Sequence, residues 1–143
     1  ANDFKSANGD SLMILQSFVI YPTHVSFTRQ DPKNKENFDK YLWHENTGWN
    51  DPKPEKTPTS DQINKQVFDL TSFNFAMIPD LSKKALEEAK KQGVTDGKVG
   101  YMVIMRKGFR EQDGDIIIQI PVEGSRKKVM VRADRNGTIY EVK

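Results

Sequence analysis

The sequence predicts an α+β fold, in which an antiparallel β-meander sheet is packed by one main helix. Several segments alternate apolar and polar residues at every second position, which is typical of strands with one buried face. One segment, residues 80–92, instead repeats its apolar residues at helical spacing. The chain has 143 residues, the usual size of one domain, so a single core is expected over residues 1–143.

The first half of the chain predicts strands. Residues 1–10 are polar, and we expect a flexible tail there. Strands are predicted from Leu12 to Phe27 and from Phe38 to His44, where apolar residues alternate. Because Pro22 cannot donate a backbone hydrogen bond, it indicates an edge position, a bulge or a break between two strands.

Residues 50–62 predict an exposed, extended connector. Three prolines and five formal charges fall there, and this composition suits neither a helix nor a central strand. The flanking segments 11–49 and 67–143 are candidate subunits, although neither is long enough to indicate an independent core.

The helix is predicted over residues 80–92. Asp80 is the expected N-cap, since its carboxylate can accept from free backbone N–H groups. The buried stripe is expected at Leu81, Ala85 and Ala89, and Gly93 supplies the stop.

The C-terminal part, Lys98 to Lys143, predicts four strands in a meander. Asn136-Gly137 is a strong hairpin-turn signal between the last two strands. The stretch from Lys128 to Thr138 parallels the stretch from Lys40 to Trp49 in strand and turn composition. Two interpretations stay open: a tandem repeat of a strand-rich unit, or two hairpins that share composition.

Composition narrows the function classes. The net charge of +2 is smaller than that of a dedicated nucleic-acid binder, so no nucleic acid is expected. The absence of cysteine excludes disulfides, thiol catalysis and cysteine metal sites. No apolar run is long enough for a transmembrane segment. The polar start at Ala1 fits a processed, exported protein or a trimmed chain, and we expect an extracytoplasmic location (periplasmic, lipoprotein or secreted) rather than a cytoplasmic one.

Catalytic and metal motifs are missing from the sequence. There is no nucleophile elbow, no phosphate-binding loop and no dinucleotide fingerprint. His24 and His44 lack metal-ligand spacing. Asp113 and Asp115 resemble only a fragment of a calcium loop, so a solvated turn is expected. We therefore expect no catalytic residue, no metal and no cofactor.

Two groups of residues are candidate binding sites. Tyr41, Trp43 and Trp49 lie close together in the sequence and are either core residues or anchors for a partner protein. Residues 126–143 hold six basic side chains against two acidic ones. Lys128 and Arg132 share one strand face there, which is either a binding face for an acidic protein, an anionic lipid or a nucleic acid, or a charged outer face that keeps the sheet soluble and blocks edge pairing.

The order of a helix, three strands, an Asp-Arg-Asn-Gly turn and a last strand over residues 78–143 resembles PepSY and cystatin-like extracytoplasmic modules. The stretch from Lys128 to Ile139 carries the resemblance. If the unit is duplicated, the chain is similar to beta-lactamase-inhibitor-like proteins. These families imply non-enzymatic inhibition, propeptide-like regulation or envelope protein binding. The cystatin inhibitory Gln-x-Val-x-Gly loop is absent.

Three functions follow as hypotheses. The first is a non-enzymatic, exported protein-binding or regulatory module, whose partner is another protein of unknown identity. The second is a small-ligand or lipid-binding protein that uses the concave face of the sheet. The third is an uncharacterised hydrolase. The oligomeric state is left open.

Overall fold

The structure, a computed structural model, describes residues 11–59, 63, 66–106 and 116–143. In this part of the chain, eleven strands form one sheet and one α-helix packs on it. The strands are β1 (Met13–Ile20), β2 (His24–Gln30), β3 (Phe38–His44), β4 (Gly48–Trp49), β5 (Lys53–Glu55), β6 (Val67–Asp69), β7 (Lys98–Val99), β8 (Met102–Arg106), β9 (Ile116–Glu123), β10 (Lys128–Asp134) and β11 (Ile139–Val142). The helix is α1 (Ile78–Lys91), and a 3₁₀ turn (Phe75–Met77) precedes it.

The strand order across the sheet is β11-β10-β9-β8-β1-β2-β3-β4, and neighbouring strands are antiparallel. The short strands β5, β6 and β7 lie off this order and pair with β3, β1 and β9. The predicted α+β class and the C-terminal meander β8 to β11 are confirmed. The pairing of β1 with β8 joins the N-terminal and C-terminal segments in one sheet.

Of the three outcomes expected at Pro22, the structure shows a break between two strands. β1 ends at Ile20 and β2 begins at His24, and a backbone hydrogen bond of 2.8 Å from Tyr21 to His24 closes the turn. Farther back in β1, Gln16 has a φ of 65°, and the register with β2 shifts there. Because of this bulge, the residues of β1 before it and after it pair with β2 in different registers.

The start of the helix differs from the prediction of residues 80–92. Helix α1 begins at Ile78, and Asp80 lies in its first turn instead of at the N-cap. The 3₁₀ turn before it is capped by Asn74, whose side chain accepts from the Ala76 amide at 3.1 Å. Pro79 is tolerated in the first turn because its missing N–H would have no helical acceptor. The earlier cap at Asn74 thus moves the helix start by two residues.

The end of the helix lies at Lys91, one residue before the predicted boundary. Gly93 takes a φ of 92°, as expected for a left-handed stop. The ammonium of Lys127 donates to the carbonyl oxygen of Gln92, which is one of the unsatisfied acceptors at a helix end. A basic side chain from the sheet thereby stabilises the helix terminus.

The core begins between α1 and the C-terminal strands and continues to β1, β2 and β6, where residues such as Ile14, Phe27 and Phe68 are buried. The predicted stripe of Leu81, Ala85 and Ala89 is buried, with no more than 2% of any of the three side chains exposed. The helix packs against β7, β9, β10 and β11. Its small alanines let the helix approach these strands closely. The inner face of β1 to β4 extends beyond the helix, and this partial cover positions the cavity described below.

Other sequence predictions fall differently. The described part of the connector, 50–59, is largely exposed, and it contains the edge strand β5, where Pro54 is tolerated. The tail 1–10, the connector end 60–62 and the turn of Asp113 and Asp115 lie outside the described residues. The two similar stretches are hairpins at opposite ends of the sheet. The tandem repeat stays a prediction.

Candidate ligand-binding cavity

A cavity of about 520 Å³ opens over the inner face of β1, β2 and β3. Its floor follows from strand alternation, because residues two apart point to the same face. Phe18 lies opposite Phe27 on β2, and Ile20 lies opposite Val25. Val25 in turn lies opposite Trp43 on β3. All five side chains line the cavity.

The roof of the cavity comes from the start of the helix. Phe75 lies in the 3₁₀ turn, and its ring centroid is 5.2 Å from that of Phe18. Ile78 and Pro79, in the first turn of α1, complete this wall. The Asn74 cap fixes where the 3₁₀ turn begins, so it also sets the position of the roof.

Aromatic contacts hold the floor in place. Phe18 and Phe27 stack at 4.7 Å between ring centroids, and Phe27 and Tyr41 stack at 5.4 Å. Trp49 meets Phe27 and Tyr41 edge-on, at 5.8 and 6.4 Å. Offset-stacked and edge-on pairs at these separations are favourable beyond their buried area. The cavity floor is therefore a packed aromatic layer.

The mouth of the cavity lies on the side of β4. Trp49 lines the cavity and is 37% exposed, so it is one of the exposed large apolar residues. Trp43, directly opposite it in the β3–β4 pairing, is half-buried. These are the two tryptophans of the chain, and both contribute to this mouth.

The chemistry of the lining is apolar. Among the described residues that line the cavity, none is Asp, Glu, Lys, Arg or His. The polar side-chain atoms that they offer are the indole nitrogens of Trp43 and Trp49. The arrangement can hold an apolar group by burial and dispersion. It offers no carboxylate or imidazole for acid–base chemistry.

Shifted carboxyl groups lie elsewhere in the described structure. Hydrogen bonds from the Ser125 side chain and backbone hold the pKa of Asp96 below its ordinary value. A hydrogen bond from Lys143, with its charge and that of Arg132, lowers the pKa of Glu141. Each shift is explained by a contact within a turn or a hairpin and indicates structural support.

The predicted aromatic group is brought together. Trp43 and Trp49 line the cavity, whereas Tyr41 packs behind them against Phe27 and does not line it. Position therefore separates the three residues. Tyr41 packs as a core residue would, whereas Trp43 and Trp49 line the cavity, where a ligand or partner could contact them. Their role in binding stays a prediction.

The predicted basic pair lies on the other face of the sheet. The inner residues of β10 are Val129, Val131 and Ala133, so Lys128 and Arg132 point away from the helix and the cavity. Lys128 is exposed, and Arg132 is half-buried and pairs with Glu141 at 3.1 Å. The aromatic and basic candidates thus do not form one site.

His24 and His44 lie opposite each other on β2 and β3, with ring centroids 6.2 Å apart. The ring of Tyr21 stacks on His24 at 4.1 Å. In the described ranges there is no group of three or more His, Cys, Asp or Glu side chains that could hold a metal ion.

The sequence analysis missed the floor and the roof. Phe18, Ile20, Val25 and Phe27 carry an available signal, since they alternate on either side of Pro22. Ile78 and Pro79 carry no comparable signal, because the local sequence of a helix start does not indicate whether it covers a cavity.

Comparison with solved structures shows a protein with a similar fold. No family model matches the chain, and no curated protein matches it. The fold is similar to a crystal structure from Clostridium difficile 630, described as that of a "putative lipoprotein". The two chains share 18% identity with a TM-score of 0.61, over 99% of this chain and 88% of the other. At this identity the likeness shows a shared fold alone. Within the described residues, no helix is long and apolar enough to cross a membrane.

Proposed function

We propose that this chain is an exported, non-enzymatic binding protein that holds an apolar small molecule in the aromatic cavity. The observation that carries the proposal is the cavity of about 520 Å³ with its aromatic floor. Small-molecule sites usually fall between roughly 300 and 1,000 Å³ and are mostly apolar. The cavity lies over the inner face of β1 to β3, where the start of α1 forms one wall.

Two observations support export. The fold is shared with a chain described as a putative lipoprotein, and lipoproteins function outside the cytoplasm. The resemblance of residues 78–143 to PepSY and cystatin-like modules agrees with an extracytoplasmic, non-enzymatic role.

The lining supports binding over hydrolysis. A hydrolase of the carboxylate type needs an acid or a base within reach of its substrate. The described lining residues carry no such group. The hydrolase hypothesis would therefore need a site outside this cavity.

A second candidate function is the binding of a partner protein, the first of the sequence hypotheses. Trp49 favours it, because this side chain is 37% exposed at the mouth and tryptophan is enriched at interface hot spots. A partner would insert an apolar side chain where the small molecule is proposed to bind.

Both tryptophans of the chain line the cavity, so tryptophan fluorescence reports on binding there. Titration with the neutral dye N-phenyl-1-naphthylamine, followed by energy transfer from tryptophan to the bound dye, tests the proposal. We expect saturable binding. Val25→Trp, which fills the cavity floor, should weaken dye binding at least tenfold, a loss of about 1.4 kcal/mol of binding free energy.

The matched control is Ser26→Trp, one position along β2. Ser26 lies on the outer face because its neighbours Val25 and Phe27 line the cavity. The control should keep the dye affinity of the unmodified protein within about twofold. Equal loss in both variants, or in neither, would refute the cavity as the site. Native mass spectrometry of protein purified from its host then separates a co-purified small molecule from a bound partner protein.

A further inference from the structure

A second cavity of about 310 Å³ lies on the other side of the helix start. Ile20, Ile78 and Pro79 line both cavities, so the two spaces meet at these three side chains. Ile20 and Ile78 are half-buried. The boundary between the cavities is therefore made of apolar side chains.

The two cavities follow one row of the sheet. Met102 on β8 lies opposite Ile20 on β1, and Ile20 lies opposite Val25 on β2. The row continues from Val25 to Trp43 and from Trp43 to Trp49. Five strands at a spacing of roughly 4.8 Å give a path of about 19 Å across the sheet. Such a path is long and narrow, which suits an extended molecule better than a compact one.

The polar groups are unevenly distributed along this path. Tyr21, Ser82 and Tyr101 line the smaller cavity, and each of these side chains carries a hydroxyl group. Of the described residues that line the larger cavity, none carries a hydroxyl group. Tyr101 is 39% exposed, so this end of the path reaches solvent. Among the described residues that line either cavity there is no Lys, Arg or His to neutralise an anion.

We propose that the ligand is a single-chain amphiphile with a neutral polar end. This inference rests on the proposed function and specifies the class of molecule. The chain lies over Phe18 and Val25 in the larger cavity, passes Ile20, and ends at the hydroxyls of Tyr21 and Tyr101. An alcohol or ester at that end exchanges hydrogen bonds with hydroxyls, whereas a carboxylate at this half-exposed end would lose part of its hydration with no cation among the described lining residues to offset the loss.

The test compares straight-chain alcohols from hexanol to dodecanol, below their aggregation limits, by the change in tryptophan fluorescence. A methylene that becomes fully buried adds up to about fourfold in affinity. We expect affinity to rise through the whole series in the unmodified protein. Dodecanoate, the matched carboxylate, should bind at least tenfold more weakly than dodecanol.

The matched variants are Ser82→Phe and Lys84→Phe on α1. Ser82 lines the smaller cavity but not the larger one. Lys84 is exposed on the outer side of the same helix. Ser82→Phe should keep hexanol affinity within about twofold and remove the gain for decanol and dodecanol. Lys84→Phe should leave the series unchanged. If circular dichroism shows that Ser82→Phe does not fold, Val99→Phe closes the same cavity from the sheet.

The outcomes separate this inference from the proposed function. If affinity stops rising after octanol, or if the gain survives in Ser82→Phe, the two-cavity path is wrong and the larger cavity stands alone. Dodecanoate binding as tightly as dodecanol overturns the neutral end. If neither the dye nor any alcohol binds, the proposed function itself fails, and this inference fails with it.

Discussion

Gly97 lies where the loop after α1 meets the inner face of β9. A Cβ at this position would come within 2.6 Å of Val122 Cγ1 and within 2.9 Å of Val94 Cγ1. Both valines are buried, with no more than 2% of either exposed. The absence of a side chain therefore lets the loop pack directly onto the sheet.

We expect Gly97→Ala to destabilise the protein by about 1–3 kcal/mol, because one added methyl group overpacks a closed site. Urea unfolding, followed by circular dichroism, measures the change. Gly100→Ala is the control, since nothing lies within 4 Å of a Cβ at that position. Equal stability of the Gly97 and Gly100 variants would contradict this account of the packing.

Trp43 and Trp49 show what sequence reasoning reaches at the level of single residues. Their spacing around a turn predicts a shared location, and the structure confirms that they lie opposite each other. The sequence left open whether they are core or surface. That choice depends on how far α1 reaches across the sheet, which is set by contacts between segments far apart in sequence.

The hairpin of β10 and β11 explains part of the basic cluster at the level of secondary-structure elements. Arg132 lies opposite Glu141 in the ladder, and their side chains form an ion pair at 3.1 Å. Lys143 pairs with the same carboxylate at 2.8 Å. Two cations on one carboxylate favour a structural role for Arg132 in the hairpin over a free binding face.

This hairpin predicts a pH dependence. Lys143 and Arg132 lower the pKa of Glu141 in the folded protein. The contribution to stability is therefore fully present above the ordinary glutamate pKa and is lost as the pH falls through the lower, folded value. Glu141→Gln should thus be less stable than the unmodified protein near pH 6, and the difference should shrink at pH 3.

Urea unfolding at the two pH values measures this difference. Glu87→Gln, on the exposed side of α1, is the control for the loss of one carboxylate. A stability difference for Glu141→Gln that is as large at pH 3 as at pH 6 would show that the ion pairs do not cause it.

The elements themselves were largely predictable. Alternation located the longer strands β1 to β3 and β8 to β11 but not the short strands β4 and β5, and helical spacing located the stripe of Leu81, Ala85 and Ala89. The helix start was missed because Asn74 caps a 3₁₀ turn ahead of it, and local propensity did not separate that turn from the helix. The pairing of β1 with β8 was not predicted, because the pairing of strands so far apart in the sequence leaves no local signal in a single sequence.

At the scale of the whole molecule, strand order divides the sheet into two halves. β7 and β9 to β11 carry the helix, whereas β1 to β4 present an aromatic face that lines the cavity together with the first turn of α1. Each half satisfies its own alternation pattern, so no single strand reveals the cavity. The cavity arises from the junction of β1 with β8 and from the length of one helix.

A ligand that occupies this cavity should stabilise the whole fold. Because it binds the folded state alone, it adds about 2.7 kcal/mol at one hundred times its Kd. For a chain of this size, that gain raises the melting temperature by about 5–10 °C. Differential scanning calorimetry with the tightest-binding alcohol of the series measures the shift.

The cavity-filling variant Val25→Trp separates this mechanism from a general effect of the alcohol on solvent. Its cavity floor is occupied and its affinity at least tenfold lower, so the same alcohol concentration should raise its melting temperature by no more than about half as much, whereas Ser26→Trp should respond as the unmodified protein does. An equal rise in all three proteins would mean that the alcohol acts elsewhere than in the cavity. A rise that Val25→Trp halves or removes would tie the cavity half of the sheet to the stability of the packed half, because β1 and β8 join the two halves.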